Sequence, residues 1–277
     1  MAVLAPVARP SSPPPPAVIS SDATSEPSIL LVIPAYRESE RLPPFLAELC
    51  SVLEDAKLPV TVRPVDDGSG TVEADILRAT MEELAPRHRV LGEAVFLDRN
   101  QGKGGAVYSG WDSADGGNFE WLAFVDADGA VSASETARLL GMAASQTPAD
   151  RECLFAIRVG EGGTKVRRTF IRKILGQIFR FLVKITFGLP ARDTQCGLKC
   201  VPATRYREVR PLLVEHRFVF DVELAARLVR AGCSIREIPI SWHESPGTRL
   251  HIVSAARMLF ALVAVRWRLF FKRAPKG

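Results

Sequence analysis

Apolar positions along the chain follow two rhythms. Short unbroken apolar runs end in polar turn residues, and between them apolar positions return every three or four residues. Ser28 to Pro34 ("SILLVIP") is the first run and reads as a strand closed by proline. "SERLPPFLAELCSVLEDA" follows with helical spacing. "VTVRPVDDGS" reads as a second strand ending in acidic turn chemistry, and a helix is expected from about Val72 to Leu84. "EAVFLDRN" reads as a strand, "GKGGAVYSGWDSA" as a loop and helix, and "WLAFVDADG" as a fourth strand. A helix near Ser134–Ala144 and a strand at "CLFAIRV" complete the series. Strands alternating with helices over short connections predict an α/β fold with a mostly parallel sheet.

In such sheets ligands bind beyond the carboxyl ends of the strands. The polar residues gather there: Glu38 after the first strand, Asp66 and Asp67 after the second, Arg99 after the third, Asp126 and Asp128 after the fourth, Arg158 after the fifth. Loop capping by Asp and Arg would account for one or two of these. Five strand ends in succession predict one shared site.

After residue 160 the rhythm changes. "KVRRTFIRKILGQIFRFLVKITFGLP" predicts a long amphipathic helix. Lys173, Gln177, Arg180 and Lys184 fall on one stripe, with Phe170, Ile174, Ile178, Phe181 and Ile185 beside it. Arg172 lies among the apolar positions, where a lone cation requires an anionic partner or an exit to water. "HIVSAARMLFALVAVRWRLFFKR" near the C-terminus is a second such helix. Both resemble helices that lie in a membrane interface, and the plainer alternative is that both pack on the sheet. The expected organisation is a Pro/Ser-rich disordered tail over 1–27, a catalytic domain over 28–250, and an amphipathic helix with a basic tail over 251–277.

Charge sharpens this division. The first 150 residues carry 11 Lys+Arg against 22 Asp+Glu, and the remaining 127 carry 25 against 9. A basic rear half is suited to an anionic partner: nucleic acid, an anionic membrane surface or a phosphorylated substrate. Nucleic acid is disfavoured, because acidic strand ends repel phosphate and few aromatic residues lie among the basic ones to stack on bases. No apolar run reaches the length of a membrane span, and the N-terminus lacks signal-peptide character. Five scattered cysteines without paired zinc spacing read as reduced thiols of a cytosolic protein, most of them buried.

Two carboxylates one residue apart at a strand end, Asp126 and Asp128, are suited to a hard divalent cation such as Mg²⁺ or Mn²⁺. The ion would offset their repulsion and bridge a diphosphate. "NQGKGGAV" is no P-loop, since Gly104 follows Lys103, and no dinucleotide fingerprint, since Val107 holds the last place. It can still bring backbone N–H groups and Lys103 towards phosphate.

"VIPAYRE", "VDDGS", "RNQGKGGAV", "FVDADG", "RDTQCGLK", "FVFDVEL" and "IPISWHESPGTRL" occur in this order over about residues 28–270. Together they resemble family 2 glycosyltransferases of the GT-A fold, a Rossmann-like nucleotide-diphospho-sugar architecture. The dolichyl-phosphate β-glucosyltransferase group is the nearest likeness, with the mannosyltransferases beside it. The resemblance implies that Pro34, Tyr36 and Glu38 line a nucleotide pocket, that Asp67 beside Asp66 bonds uracil, and that Arg99 and Lys103 lie near the sugar-nucleotide. It implies that Asp126 contacts ribose or sugar and Asp128 is the firmest metal ligand. Arg158 and Arg172 would hold the acceptor phosphate, Asp193 and Gln195 would close the sugar pocket, and Arg249 would lie on a loop folding over the diphosphate. Some relatives place another metal-side ligand two residues past the last Asp, where this chain has Ala130.

The implied function is an inverting transfer of a hexose, glucose from UDP-glucose, to a polyprenyl or dolichyl phosphate by a protein peripherally bound at the cytoplasmic face of a membrane. GDP-mannose as donor and a water-soluble acceptor are the alternatives.

Overall fold

The computed structural model describes residues 28–113, 119–147, 151–159, 181–189, 193–217, 219–242 and 252–271. Seven strands form one sheet: β1 (Ile29–Ala35), β2 (Val60–Asp66), β3 (Val95–Phe96), β4 (Trp121–Val125), β5 (Cys153–Val159), β6 (Leu198–Pro202) and β7 (Ile235–Ser241). Their order is β3-β2-β1-β4-β6-β5-β7. β1 pairs parallel with β2 and β4, and β2 with β3. β6 runs antiparallel between β4 and β5, and β5 pairs parallel with β7.

The expected alternation is present. α1 (Leu42–Asp55), α2 (Thr71–Leu84), α3 (Lys103–Asp112) and α4 (Ala133–Ala144) connect the first five strands. α1 starts where Pro43 and Pro44 fall, in the first turn, where a missing N–H leaves no bond unmade. Ser132 caps α4, its hydroxyl accepting from the Glu135 N–H. β3 is a correction: the apolar run from Glu93 pairs at only two positions. It lies at the sheet edge, and its polar continuation turns away after Leu97, whose N–H donates to the Asp66 carbonyl. β6 and β7 are additions. The first interrupts the alternation with an antiparallel strand that a β–α rhythm does not announce.

Each face of the sheet buries its own core. Alternate residues of β1 divide between them: Ile29, Leu31 and Ile33 pack with α1, α2 and α4, whereas Leu30 and Val32 pack with the helices opposite. That second layer holds Tyr108 and Trp111 of α3, Tyr206 of α6 (Ala203–Val209), and Phe220 and Leu224 of α7 (Phe220–Arg230). Trp111 buries its ring and donates its indole N–H to the Ala123 carbonyl at 3.0 Å. Each large apolar side chain so buried contributes about 1.5–3 kcal/mol.

The two expected interfacial helices are partly described. Residues 181–187 are helical (α5), while Phe170, Arg172, Lys173, Ile174, Gln177, Ile178 and Arg180 lie outside the described residues. α8 (Ile252–Phe271) packs by Leu262, Val265 and Leu269 into the second core. It leaves Phe260, Val263 and Trp267 exposed on another face. All five cysteines are free and buried.

Candidate active site

The strand order reverses between β1 and β4, which leaves a crevice at their carboxyl ends. There the structure has an open cavity of about 700 Å³. Pro34, Tyr36 and Glu38 reach it from the end of β1, Asp67 from β2, Asp126 and Asp128 from β4, and Lys103 from the N-terminus of α3. Seven of the sequence-derived residues therefore share one wall. Arg41, Asn100, Gly102 and Arg217 also line it, with Ala35, Ala106 and Ala127.

Asp67 lies under this cavity and grips a loop. Its two oxygens accept from the N–H groups of Gln101 (2.7 Å) and Gly102 (2.8 Å). Burial pushes its pKa up, and these N–H groups offset that in part. Gly102 adopts φ +94°, and a Cβ there would meet the His216 carbonyl oxygen at 2.7 Å. Three of the loop's backbone N–H groups are thus occupied: Gln101 and Gly102 by Asp67, and Gly105 by His216 O. The charged group that the loop presents to the cavity is Lys103.

Lys103 pairs with Asp126, Nζ to Oδ1 at 2.6 Å. Burial pulls the lysine pKa down, but Asp126, Asp221 and Asp128 outweigh it and leave the ammonium above its ordinary value. The repulsion expected within the acidic triplet is therefore relieved in part by a lysine. Asp126 is also fixed from behind. Its N–H donates to Gly197 O at 2.9 Å, and a Cβ on Gly197 would lie 2.2 Å from its Oδ2. Asp128 Oδ1 accepts from the Ala130 N–H.

At the rim, Glu38 pairs with Arg41 at 2.5 Å. Burial raises its pKa, Arg41 opposes this, and Asp128 and Asp126 add to it. Tyr36 is exposed beside Arg37, a non-glycine residue at φ +57° whose N–H donates to Ser69 Oγ.

The remaining expected residues lie elsewhere. Asp66 accepts from the Ser69 N–H and faces a neighbouring narrow cleft with Ser39 and Glu73. Arg99 is exposed, and its backbone packs on Gly68. Arg158 and Asp193 hold each other bidentately (2.7 and 2.8 Å), and Arg158 also lies over the Trp242 ring. Burial opposes both charges, but the pairing prevails: Asp193 lies below the usual carboxylate range and Arg158 above its ordinary value. Neither lines the cavity, nor does the half-buried Gln195. Arg172 and Arg249 lie outside the described residues. Of the residues not foreseen, Asn100 and Gly102 were within a quoted motif. Arg217 carried no signal, because the loop before α7 has no periodicity.

The donor set is hard oxygen at a strand end open to a large cavity, which is suited to a Mg²⁺ or Mn²⁺ ion held by one or two carboxylates and by substrate phosphates. Among the described residues no three His, Cys, Asp or Glu converge as a closed metal cage.

Comparison with known proteins follows the same lines. The profile of "Glycosyl transferase family 2" matches residues 30–194. A dolichyl-phosphate beta-glucosyltransferase of Trichomonas vaginalis is 32% identical over 251 residues, 87% of this chain and 71% of the relative. One of Drosophila melanogaster is 34% identical over 79% of this chain and 68% of its own. Among solved structures, glucosyl-3-phosphoglycerate synthase from Mycobacterium tuberculosis, in complex with Mg²⁺ and UDP, superposes with TM-score 0.61 at 13% identity. It covers 87% of this chain and 79% of that one. The mannosyltransferase PcManGT from Pyrobaculum calidifontis, with GDP-Man and Mn²⁺, gives 0.61 at 16% identity over 91% of this chain and 67% of its own. These structures share the GT-A fold with the chain.

Proposed function

The chain belongs to glycosyl transferase family 2, and from that premise we propose that it transfers glucose from UDP-glucose to a dolichyl or other polyprenyl phosphate, inverting the anomeric carbon. The observation that carries the reading is the convergence of Asp67, Lys103, Asp126 and Asp128 on one cavity at the strand-order reversal. The relatives' shared name supports the choice of sugar and acceptor.

In this reading Pro34, Tyr36, Glu38 and Asp67 surround the nucleoside, with Asp67 also tying down the loop beneath it. Lys103 and Arg217 supply positive charge to the diphosphate. Asp128, with Asp126, would hold Mg²⁺ or Mn²⁺, which when bound neutralises charge on the departing diphosphate. The nucleophile is a phosphate oxygen, already anionic at neutral pH, so the protein needs little general-base chemistry. It must orient that oxygen in line with the anomeric carbon on the face away from UDP. Arg158, fixed by Asp193, serves the acceptor phosphate together with Arg172. Arg249 closes over the diphosphate, and Gln195 borders the sugar.

The acceptor's lipid tail requires a surface. Phe260, Val263 and Trp267 of α8 and Phe181 and Ile185 of α5 are exposed large apolar residues, and exposed cations Arg266 and Lys184 adjoin them. No described helix is long and apolar enough to cross a membrane. Apolar residues beside cations support a peripheral seat on an anionic, cytoplasm-facing leaflet.

The test is a panel of radiolabelled UDP-glucose, UDP-galactose and GDP-mannose, with Mn²⁺ and vesicles containing polyprenyl phosphate. Glucose label entering the lipid phase is expected. Label that enters only from GDP-mannose, or only a water-soluble acceptor, would replace the reading.

A further inference from the structure

Behind the donor cavity a file of alternating charges runs into the core. Asp126 at the cavity wall pairs with Lys103. Asp221, the second residue of α7, follows Phe220, whose ring centre lies 5.9 Å from the Lys103 ammonium, and Lys199 stands in the middle of β6. Asp221 is 3% exposed and Lys199 not at all. Lys199 Nζ donates to the Cys196 carbonyl at 2.7 Å and stands 3.7 Å from Asp221 Oδ1. The two ammonium groups sit 5.2 Å (Lys103) and 5.1 Å (Lys199) from the centre of the same Phe124 ring.

Two plain structural roles for Asp221 leave something over. As a helix-terminal carboxylate it would accept backbone N–H groups of the first turn, but those of Val222 and Glu223 already donate to the Val219 carbonyl. Asp221 Oδ1 is buried with no hydrogen-bond partner. As the counterion of Lys199 it stands beyond hydrogen-bond distance, while Lys199 has a carbonyl closer by. A buried ion pair with poor geometry is weakly stabilising, and an apolar pair would serve the core as well. The cavity-side cation Lys103 is what remains. Asp221 is, after Asp126, the carboxylate that acts on it most strongly.

We propose that Asp221 is a positioning residue for the donor site: from inside the core it holds the Lys103 ammonium at the cavity wall, with Lys199 as its counterweight. The proposal rests on the reading of the cavity as a nucleotide-diphosphate site. An incoming diphosphate competes with Asp126 for Lys103, and Asp221 keeps the ammonium in place while that exchange occurs. Burial raises the Asp221 pKa, Lys199 and Lys103 oppose this, and Lys199 keeps the carboxylate stationary when Lys103 shifts.

The experiment is a coupling cycle read by calorimetric UDP binding with Mn²⁺ and by thermal unfolding, using Asp221→Asn, Lys103→Met and the double variant. Asp221→Asn is expected to weaken UDP binding about 10–100-fold, the range for residues that act through a ligand-binding group. In the Lys103→Met background the same change should have little further effect. A second double variant, Lys199→Met with Asp221→Asn, removes both buried charges together. It should unfold near the wild-type temperature and still bind UDP as weakly as Asp221→Asn. If this variant binds UDP like the wild type, or if the Lys103 and Asp221 losses simply multiply, Asp221 is only the counterion of Lys199 and the proposal is overturned. A wild-type protein that takes up no UDP at all would instead overturn the reading of the cavity itself, and this proposal with it.

Discussion

The first half of the chain and the second treat charge in opposite ways. The N-terminal 150 residues are acidic, and the carboxylates that matter converge at the ends of parallel strands on one concave wall. The C-terminal 127 residues are basic, and the exposed cations of α5 and α8 stand beside exposed aromatic and branched side chains. One half concentrates negative charge inward, where a cation and a polyanion can be bound together. The other spreads positive charge outward, where only an extended anionic surface would meet it. A water-soluble donor and a membrane-held acceptor require these two environments on one molecule. The antiparallel strand β6 joins them: its neighbour Gly197 backs Asp126, and its Lys199 reaches towards α7.

The largest effect is expected at the acidic wall. Asp128→Ala should lower transfer by at least about 10²–10³-fold, the several kcal/mol that a metal-held diphosphate contributes in the transition state. The unfolding temperature should stay close to wild type, because Asp128 is only half-buried. Full turnover by this variant would remove the metal role.

Gly197→Ala probes the same wall without touching a charge. The added methyl would overlap Asp126 Oδ2 and Cγ, at 2.2 and 2.5 Å, so the carboxylate must move. A displacement of this size at a reacting centre lowers turnover by about 10²-fold. If the variant transfers at the wild-type rate, the geometry of Asp126 is unimportant and the acidic half is a mere electrostatic sink.

How much of this was legible in the sequence differs between the halves for a physical reason. Parallel strands buried on both faces read as unbroken apolar runs, and the turn residues that follow them are chemically conspicuous. Glu38, Asp67, Asp126 and Asp128 were therefore found from the pattern and Lys103 from the glycine-rich loop, and the structure brings all five to one cavity. Asp66, Arg99 and Arg158 satisfied the same pattern but do not line the cavity: Asp66, still in β2, faces away from its neighbour Asp67, Arg99 lies three residues past the end of β3, and Arg158 is held by Asp193. Asp67's grip on the Gln101–Gly102 backbone could not be read, since it joins positions 34 and 35 residues apart. Strand β6 was missed because Lys199 interrupts its short apolar run, and β7 because Pro239 stands inside it. The exposed apolar face of α8 was legible as amphipathicity. Its packing against α7 through Arg230, whose guanidinium donates to the Leu269 carbonyl, was not.

The outward-facing half is tested by Phe260→Ala with Trp267→Ala. Removing two exposed large side chains should weaken binding to anionic vesicles by about tenfold or more, since each is worth roughly 1.5–3 kcal/mol when buried in an apolar phase. UDP affinity should not change, because neither residue lines the cavity. Vesicle binding that survives both substitutions would assign the apolar face to a protein partner instead.

The smallest expected effect is on stability and lies within the C-terminal half. Asp193 is nearly buried and held ionised by Arg158, so its pKa is lower in the folded protein than in the unfolded chain. A depressed carboxylate contributes stability that is present above its unfolded pKa, about 3.9, and is lost as pH falls through the lower folded value. Arg158 has its pKa raised, so its share persists at every pH below the strongly alkaline range. Asp193→Asn should therefore destabilise the protein by about 1–3 kcal/mol at pH 7, the range for a hydrogen bond to a charged group. In unfolding measurements from pH 6 to pH 3, the gap between variant and wild type should narrow below about pH 4, where the carboxylate of the unfolded chain begins to take up a proton while the folded one does not. A gap that stays constant over that range would mean that Asp193 acts by shape and not by charge. Arg158 would then be held in place by packing on Trp242 and not by its carboxylate partner.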